Sequence, residues 1–426
     1  MREKLLSVYG MSILLGVLTG LAGSGFEAAI AASIHLIDAL FQVLKAHGIA
    51  VLPVSAFLSM LLTVGAFLLV SHFAPEAAGS GVQEIEGSLL HLRPLRWMRV
   101  LPVKFVGGVL AISARLVLGR EGPTIQMGGA LGAFISDAWR LSPLRRDGFV
   151  AAGAAAGLAT AFNAPLAGIL FVIEEMRNQF DYSFTHFKMV AITCVAATLT
   201  NNFLLGSGPA ISMPVFAQND FPALGLFFLF GILAGFVALG FNHGLMGLLQ
   251  RMDCLGKRGR LVFAATVGLI AGLLAPLVPD AVGGGYTLIE ETLGVTLSLQ
   301  VLLMLFAVRF AMTLLSYGTG VPGGVFAPLL ALGTLLGVMA SLVFGWLFPG
   351  IVMHPGIFAV CGMAALFSAC VRAPITGIVL VVEMTWNYAL IFPLLIVCLT
   401  STTIMQLAKN GPLYTQLLRR TLKKGP

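Results

Sequence analysis

Two carboxylic acids stand where such residues are rare. Glu121 lies in Gly119-Arg120-Glu121-Gly122-Pro123, and Glu175 closes the apolar run 149–175, in a chain that is 58% hydrophobic and only 10% charged. An ionisable side chain inside a bilayer is costly, so its default reading is functional. Glu121 falls where Gly and Pro interrupt an apolar run and a helix restarts at Thr124-Ile125-Gln126-Met127. A helix beginning inside a bilayer leaves its first amides without acceptors and points the positive end of its dipole there. A carboxylate at that point can take an anion's place when ionised and must vacate it when protonated or displaced. Burial disfavours the charged form of an acid, so proton uptake near neutral pH is within reach. Anion and proton would then compete through one side chain. The bland alternative, a glutamate that only complements the helix dipole, suits a soluble helix better than a mid-membrane break.

Glu175 is followed by Arg177. It can be an interfacial acid paired with that arginine, or a second proton-accepting station on the side opposite Glu121. Ser80, in Gly79-Ser80-Gly81, can donate a hydroxyl to an anion or simply permit close packing, and the sequence leaves both readings open. Tyr414, in Gly411-Pro412-Leu413-Tyr414, offers another O–H donor.

The elements that must position these groups are membrane helices. Mean hydropathy is +0.97, and ordinary globular domains carry roughly 25% charged residues. The deficit spans the whole chain, so it is polytopic. Fifty glycines suit close helix packing in a membrane. Apolar runs are read at 5–21, 51–70, 101–118, 149–175, 189–205, 226–249, 261–277, 301–315, 358–383 and 390–407, with 73–90 as a polar interruption. Runs of this length select helices over a barrel. A second broken helix is expected at Gly323-Gly324-Val325-Phe326-Ala327-Pro328, restarting at Leu329.

The chain repeats itself. Asn163-Ala164-Pro165-Leu166-Ala167-Gly168-Ile169 aligns with Arg372-Ala373-Pro374-Ile375-Thr376-Gly377-Ile378, an offset of 209 (Pro165 to Pro374) that also pairs Gly153 with Gly362 and Glu174 with Glu383. The broken helices align at 205 (Pro123 to Pro328), pairing Gly119 with Gly324 and Gly128 with Gly333. Broken helices at corresponding places in two halves point to a midplane ion site. We expect halves at 1–210 and 211–426, with no separate soluble domain. Matched residues are read as architecture. Glu121 aligns with Phe326 and Glu175 with Met384, so those two acids are the leading functional residues.

The net charge of +7 is unevenly spread. Basic residues cluster at 93–99, 140–146, 251–260 and 419–424, whereas loops 206–225 and 279–291 carry acids and no Lys or Arg. That asymmetry places the basic tail inside. No basic stretch exceeds loop length, so nucleic acid is not expected as a partner. Five cysteines without CxxC spacing are read as free thiols, four of them in apolar runs. Seven scattered histidines and no HExxH give no metal or cofactor site and no enzyme. The N-terminal apolar run is read as a retained segment rather than a cleaved leader.

Together these motifs resemble the CLC family of chloride channels and chloride/proton antiporters. GSGxxExEG at Gly79–Gly87, GREGP at Gly119–Pro123, GxFxP at Gly324–Pro328 and the late Tyr414 occur in family order. The resemblance implies an all-α polytopic fold of two inverted-repeat halves whose broken helices meet at a midplane anion site. It implies a homodimer with one anion pathway per subunit, in a bacterial inner membrane, given the short basic tail. By position, Ser80, Tyr414 and the amides of Val325 and Phe326 would hold the anion. Glu121 would be the external gating glutamate and Glu175 the internal proton glutamate. Lys104 and Arg120 would lend positive potential. The family's first motif usually reads GSGIP; Gln83 in place of Pro is expected to alter the backbone presenting Ser80. Retained Ser80 resembles chloride-preferring members, and the fluoride-specific branch lacks both Ser and Tyr. The reading is chloride/proton exchange; the alternatives are a passive chloride channel, which needs no inner acid, or an antiporter of altered anion preference.

Overall fold

Each apolar run becomes helical, because inside hydrocarbon every backbone N–H must find its acceptor within the segment; the runs 149–175 and 358–383 each form two helices, broken before Pro165 and Pro374. The structure is a computed structural model that describes residues 2–176, 183–214, 221–294, 297–349, 351 and 354–423. It contains α1 (Arg2–Ala46), α2 (Val51–Phe73), α3 (Val82–Leu89), α4 (Trp97–Ser113), α5 (Glu121–Ala138), α6 (Pro143–Phe162), α7 (Pro165–Glu175) and α8 (Phe184–Leu205). There follow α9 (Phe221–Asp253), α10 (Lys257–Leu277), α11 (Tyr286–Gly294), α12 (Leu299–Gly318), α13 (Phe326–Leu347), α14 (Pro355–Val371), α15 (Pro374–Thr385), α16 (Ile391–Leu407) and α17 (Leu413–Lys423). Among the described residues there is no strand, only isolated bridges joining Gly79 to Pro322 and Gly119 to Gly324. Eight of the described helices are long and apolar enough to cross a membrane. Apolar side chains such as Leu199, Phe203 and Trp346 point outward from them, as a lipid-facing surface requires.

Several elements depart from the sequence expectation, among them α11, which begins within the expected loop 279–291. The run 5–21 is only the start of α1, a 45-residue helix of roughly 68 Å at 1.5 Å per residue. Its polar positions Glu27 and Asp38 find cations in Arg120 and Arg115, so the helix continues past the apolar stretch. The interruption 73–90 holds a 3-10 turn (Pro75–Ala77) and α3 rather than loop alone. The basic tail is helical as well. Leu413, Tyr414, Leu417 and Leu418 bury one face of α17, and Arg420 Nε donates to Asp253 Oδ2 at 2.7 Å.

Neighbours recur in the two sets of helices. α5 packs on α6 as α13 packs on α14; α1 meets α8 as α9 meets α16; α6 meets α8 as α14 meets α16. The matched glycines are the two sides of one crossing. A Cβ on Gly128 would strike Gly153 O, and one on Gly333 would strike Gly362 O, so only glycine lets these backbones touch.

The short helices α7 and α15 reveal the symmetry axis. Each starts with Pro after an alanine, Ala164 or Ala373, that has no side chain to cap it. The caps come from the other repeat. Glu383 accepts from Leu166 N (3.1 Å) and Ala167 N (2.8 Å), and Glu174 accepts from Ile375 N (3.1 Å) and Thr376 N (2.7 Å). The C-terminal end of each helix thus serves the N-terminal end of the other. The pair is antiparallel, and reciprocal contacts between equivalent residues require a two-fold rotation. An axis perpendicular to the paired helices inverts one repeat against the other.

Glu174→Ala and Glu383→Ala should each cost about 1–2 kcal/mol, the usual loss of a helix cap. Thermal unfolding of the purified protein checks this; variants melting with the parent would show that the crossed caps contribute nothing.

Candidate functional site

The two broken helices start beside one another. Gly119 N donates to Gly324 O and Gly324 N to Gly119 O, both at 2.8 Å. α5 begins two residues after Gly119 and α13 two residues after Gly324. The free amides of both helix starts therefore border one small buried volume, and both dipoles make it positive.

Glu121, fully buried, fills part of it. Its Oε2 accepts from Ala327 N at 3.4 Å and its Oε1 accepts from the Tyr286 hydroxyl at 2.6 Å. The carboxylate of one broken helix thus reaches an amide of the other, the kind of donor an anion would use.

Ser80 and Tyr414 converge on the same junction from different elements. A Cβ on Gly122 would collide with Ser80 Oγ, so the glycine after Glu121 lets the hydroxyl lie against the start of α5. Tyr414 arrives through α17, which packs on α3, and its ring stacks on Phe326, the first residue of α13 (centroids 5.8 Å apart, planes at 22°). Both hydroxyls are buried, and neither has a hydrogen-bond partner among the described residues. Two buried hydroxyls beside two helix starts are donors of the kind that can turn to an anion. Val325 and Phe326 are buried at the head of α13, where helix geometry offers their amides no acceptor.

Gln83 stands where the usual motif has Pro. Gln83 lies within the first turn of α3, and Glu84 N and Ile85 N both donate to Gly81 O. Upstream, the Lys104 ammonium donates to Ala77 O (3.0 Å) and Gly79 O (2.7 Å), and Ser80 N donates to Tyr317 OH (3.3 Å). These contacts, none involving residue 83, hold the backbone that presents Ser80. Lys104 holds the loop with two of its protons. Arg120 pairs with Glu27, donates to Ala161 O at 3.3 Å, and stands 5.3 Å over the Tyr286 ring.

Glu175 lies apart from this junction, buried at the end of α7. Arg177, its partner in the bland reading, lies outside the described residues. Its carboxyl faces that of Glu86 from α3, with Arg372 in electrostatic range. Both Glu86 oxygens and Glu175 Oε1 lack a donor. Two facing acids with one nearby cation cannot both be charged without penalty, so the pair can hold a proton between them.

Residues 60–406 match the family model described as voltage gated chloride channel. The chain belongs to that family. It is 47% identical over 425 residues to the H(+)/Cl(-) exchange transporter ClcA of Vibrio cholerae serotype O1 (strain M66-2), covering 98% of this chain and 90% of that protein. The transporter of the same name from Salmonella schwarzengrund is 44% identical over 424 residues, covering 98% and 89%. The crystal structure of a slow cyanobacterial Cl−/H+ antiporter superposes with a TM-score of 0.94 at 36% identity, covering 98% of each chain. A voltage gated chloride channel fold thus carries the junction of Gly119 and Gly324, and on it the structure gathers Ser80, Glu121, Val325, Phe326 and Tyr414. Sequence reasoning missed Glu86 and Tyr286. Glu86 stood in the quoted motif two residues after Glu84, whose carboxylate is taken by Arg93 (2.6 Å).

Removing both orphaned hydroxyls (Ser80→Ala with Tyr414→Phe) strands no partner, so without chloride the double variant should unfold within about 1 kcal/mol of the parent. Added chloride should then fail to raise its melting temperature, whereas a saturated parent gains about 2.7 kcal/mol at a hundred times Kd. Thermal melts across a chloride series separate the two.

Proposed function

We propose that this polytopic membrane protein exchanges chloride for protons as a secondary antiporter. The observation that carries the reading is the Glu121 carboxylate lying on Ala327 N between two helix starts, where it stands in for an anion. Ser80, Tyr414 and the amides of Val325 and Phe326 hold chloride next to it. Glu121 is the external gate and takes up the proton when chloride displaces it. Glu175, facing Glu86, is the internal proton acceptor. Lys104 shapes the Ser80 loop, and Arg120 adds positive charge behind Glu121. The halves meet near residues 210 and 211, with Gly119 and Gly324 at their contact. The relatives named as H(+)/Cl(-) exchange transporters support the reaction. The protein works as a homodimer in a bacterial inner membrane, with its basic loops on the cytoplasmic side.

In liposomes with a chloride gradient and the voltage clamped by an ionophore, chloride should drive protons uphill. Chloride flux with no proton movement would instead make the protein a channel. Glu175→Gln should keep chloride flux and lose coupled proton transport, while Glu121→Gln should abolish proton movement and alter the gate. Intact coupling in Glu175→Gln would remove that residue from the mechanism.

A further inference from the structure

The loop before α11 is a second copy of the loop that carries Ser80. Gly283-Gly284-Gly285-Tyr286 stands 204 residues after Gly79-Ser80-Gly81-Val82. Gly283 and Gly285 adopt φ of 72° and 97°, against 62° and 88° at Gly79 and Gly81, in the region that favours glycine. A 3-10 turn precedes each loop, Pro75–Ala77 in one and Pro279–Ala281 in the other. A buried cation from the next long helix grips each. Lys104 does so in the first copy. In the second, Arg309, 205 residues later, donates to Asp280 O (2.6 Å), Val282 O (3.1 Å) and Gly283 O (3.0 Å).

The copies differ where chemistry is possible. Ser80 is answered by Gly284 and Val82 by Tyr286, so the hydroxyl has moved two residues along and onto a longer side chain. Tyr286 OH reaches Glu121 Oε1 at 2.6 Å, the length of an O–H donor on a charged oxygen. The ring is steadied beneath the Arg120 guanidinium, itself fixed by Glu27. Tyr286, Gly119 and Arg120 line one cavity of about 1070 Å³, on the side of the loop 279–291 that carries no Lys or Arg. Tyr286, which lines that cavity, is thus bonded to the fully buried Glu121, which does not.

We infer that Tyr286 is a positioning residue of the gate, a phenol that clasps the Glu121 carboxylate in the anion's place and so sets how readily chloride displaces it. The inference rests on Glu121 being the gate. With Ala327 N on one oxygen and Tyr286 on the other, chloride must compete against both bonds. A hydrogen bond to a charged group is among the strong ones, so the clasp weakens apparent chloride affinity and slows each exchange.

The test is calorimetric titration of the purified full chain with chloride, for the parent, Tyr286→Phe, Glu121→Ala and the double variant. Phe keeps the ring beneath Arg120 and removes only the hydroxyl. Tyr286→Phe should bind chloride roughly ten-fold or more tightly than the parent. In the Glu121→Ala background the same change should add nothing, because no carboxylate remains to clasp; a purely structural effect would persist there, and its persistence overturns the inference. If Glu121→Ala tightens binding while Tyr286→Phe matches the parent, the clasp is wrong and the gate stands. If Glu121→Ala leaves affinity unchanged, the gate reading itself falls, and the clasp with it.

Discussion

The pair of hydrogen bonds between Gly119 and Gly324 fixes what the rest of the molecule must accomplish. It pins two helix N-termini side by side, each carrying roughly half a positive charge. Two such ends in a low-dielectric interior repel one another and hold amides with no acceptor, so the junction is stable only with a negative group in it. Glu121 supplies that group from within the chain. On the proposed function chloride supplies it from outside, and the exchange of glutamate for anion would then follow from how the helices meet.

The two-fold relation explains how one junction came to have unlike faces. Each repeat contributes a helix start, a short helix capped by its counterpart, a Gly-x-Gly loop and a buried cation gripping that loop. These matched parts are framework. The proposed chemistry resides where the copies diverge: Glu121 against Phe326, Glu175 against Met384, Ser80 against Gly284, Val82 against Tyr286. Tyr414 has no counterpart, since α17 follows the second set of helices. A strictly symmetric junction would offer an ion the same groups from either side; the divergence gives the two approaches different ones.

Much of this was legible in the sequence because charges are scarce and Gly and Pro punctuate apolar runs sharply. The broken helices, the repeat offsets and the place of Glu121 at a helix start could all be read from spacing. The matched Glu174 and Glu383 were read as architecture, and the crossed caps supply the reason: Ala164 and Ala373 cannot cap their own helices. What stayed hidden depended on contacts between distant segments. α11 and α17 are short helices in polar surroundings, and their apolar positions signal little until they pack. Glu86 has an acid, Glu290, 204 residues later, so a rule that favours unmatched residues passes over it. Tyr286 sat in an apparently plain loop because its copy of the Gly-x-Gly pattern has lost the serine.

The surroundings of the two acids fit the different tasks proposed for them. Glu121 is offered donors, the Tyr286 hydroxyl and the Ala327 amide, and a carboxylate between donors can do what a halide does. Glu175 is offered another acid, Glu86, with Arg372 in range, and two carboxyls facing each other are suited to keeping a proton between them. One residue type is therefore proposed as an anion mimic at the junction and as a proton holder at the end of α7. Exchange needs both, because a site that binds only anions cannot count protons, and a proton relay that never touches the anion site cannot be coupled to it.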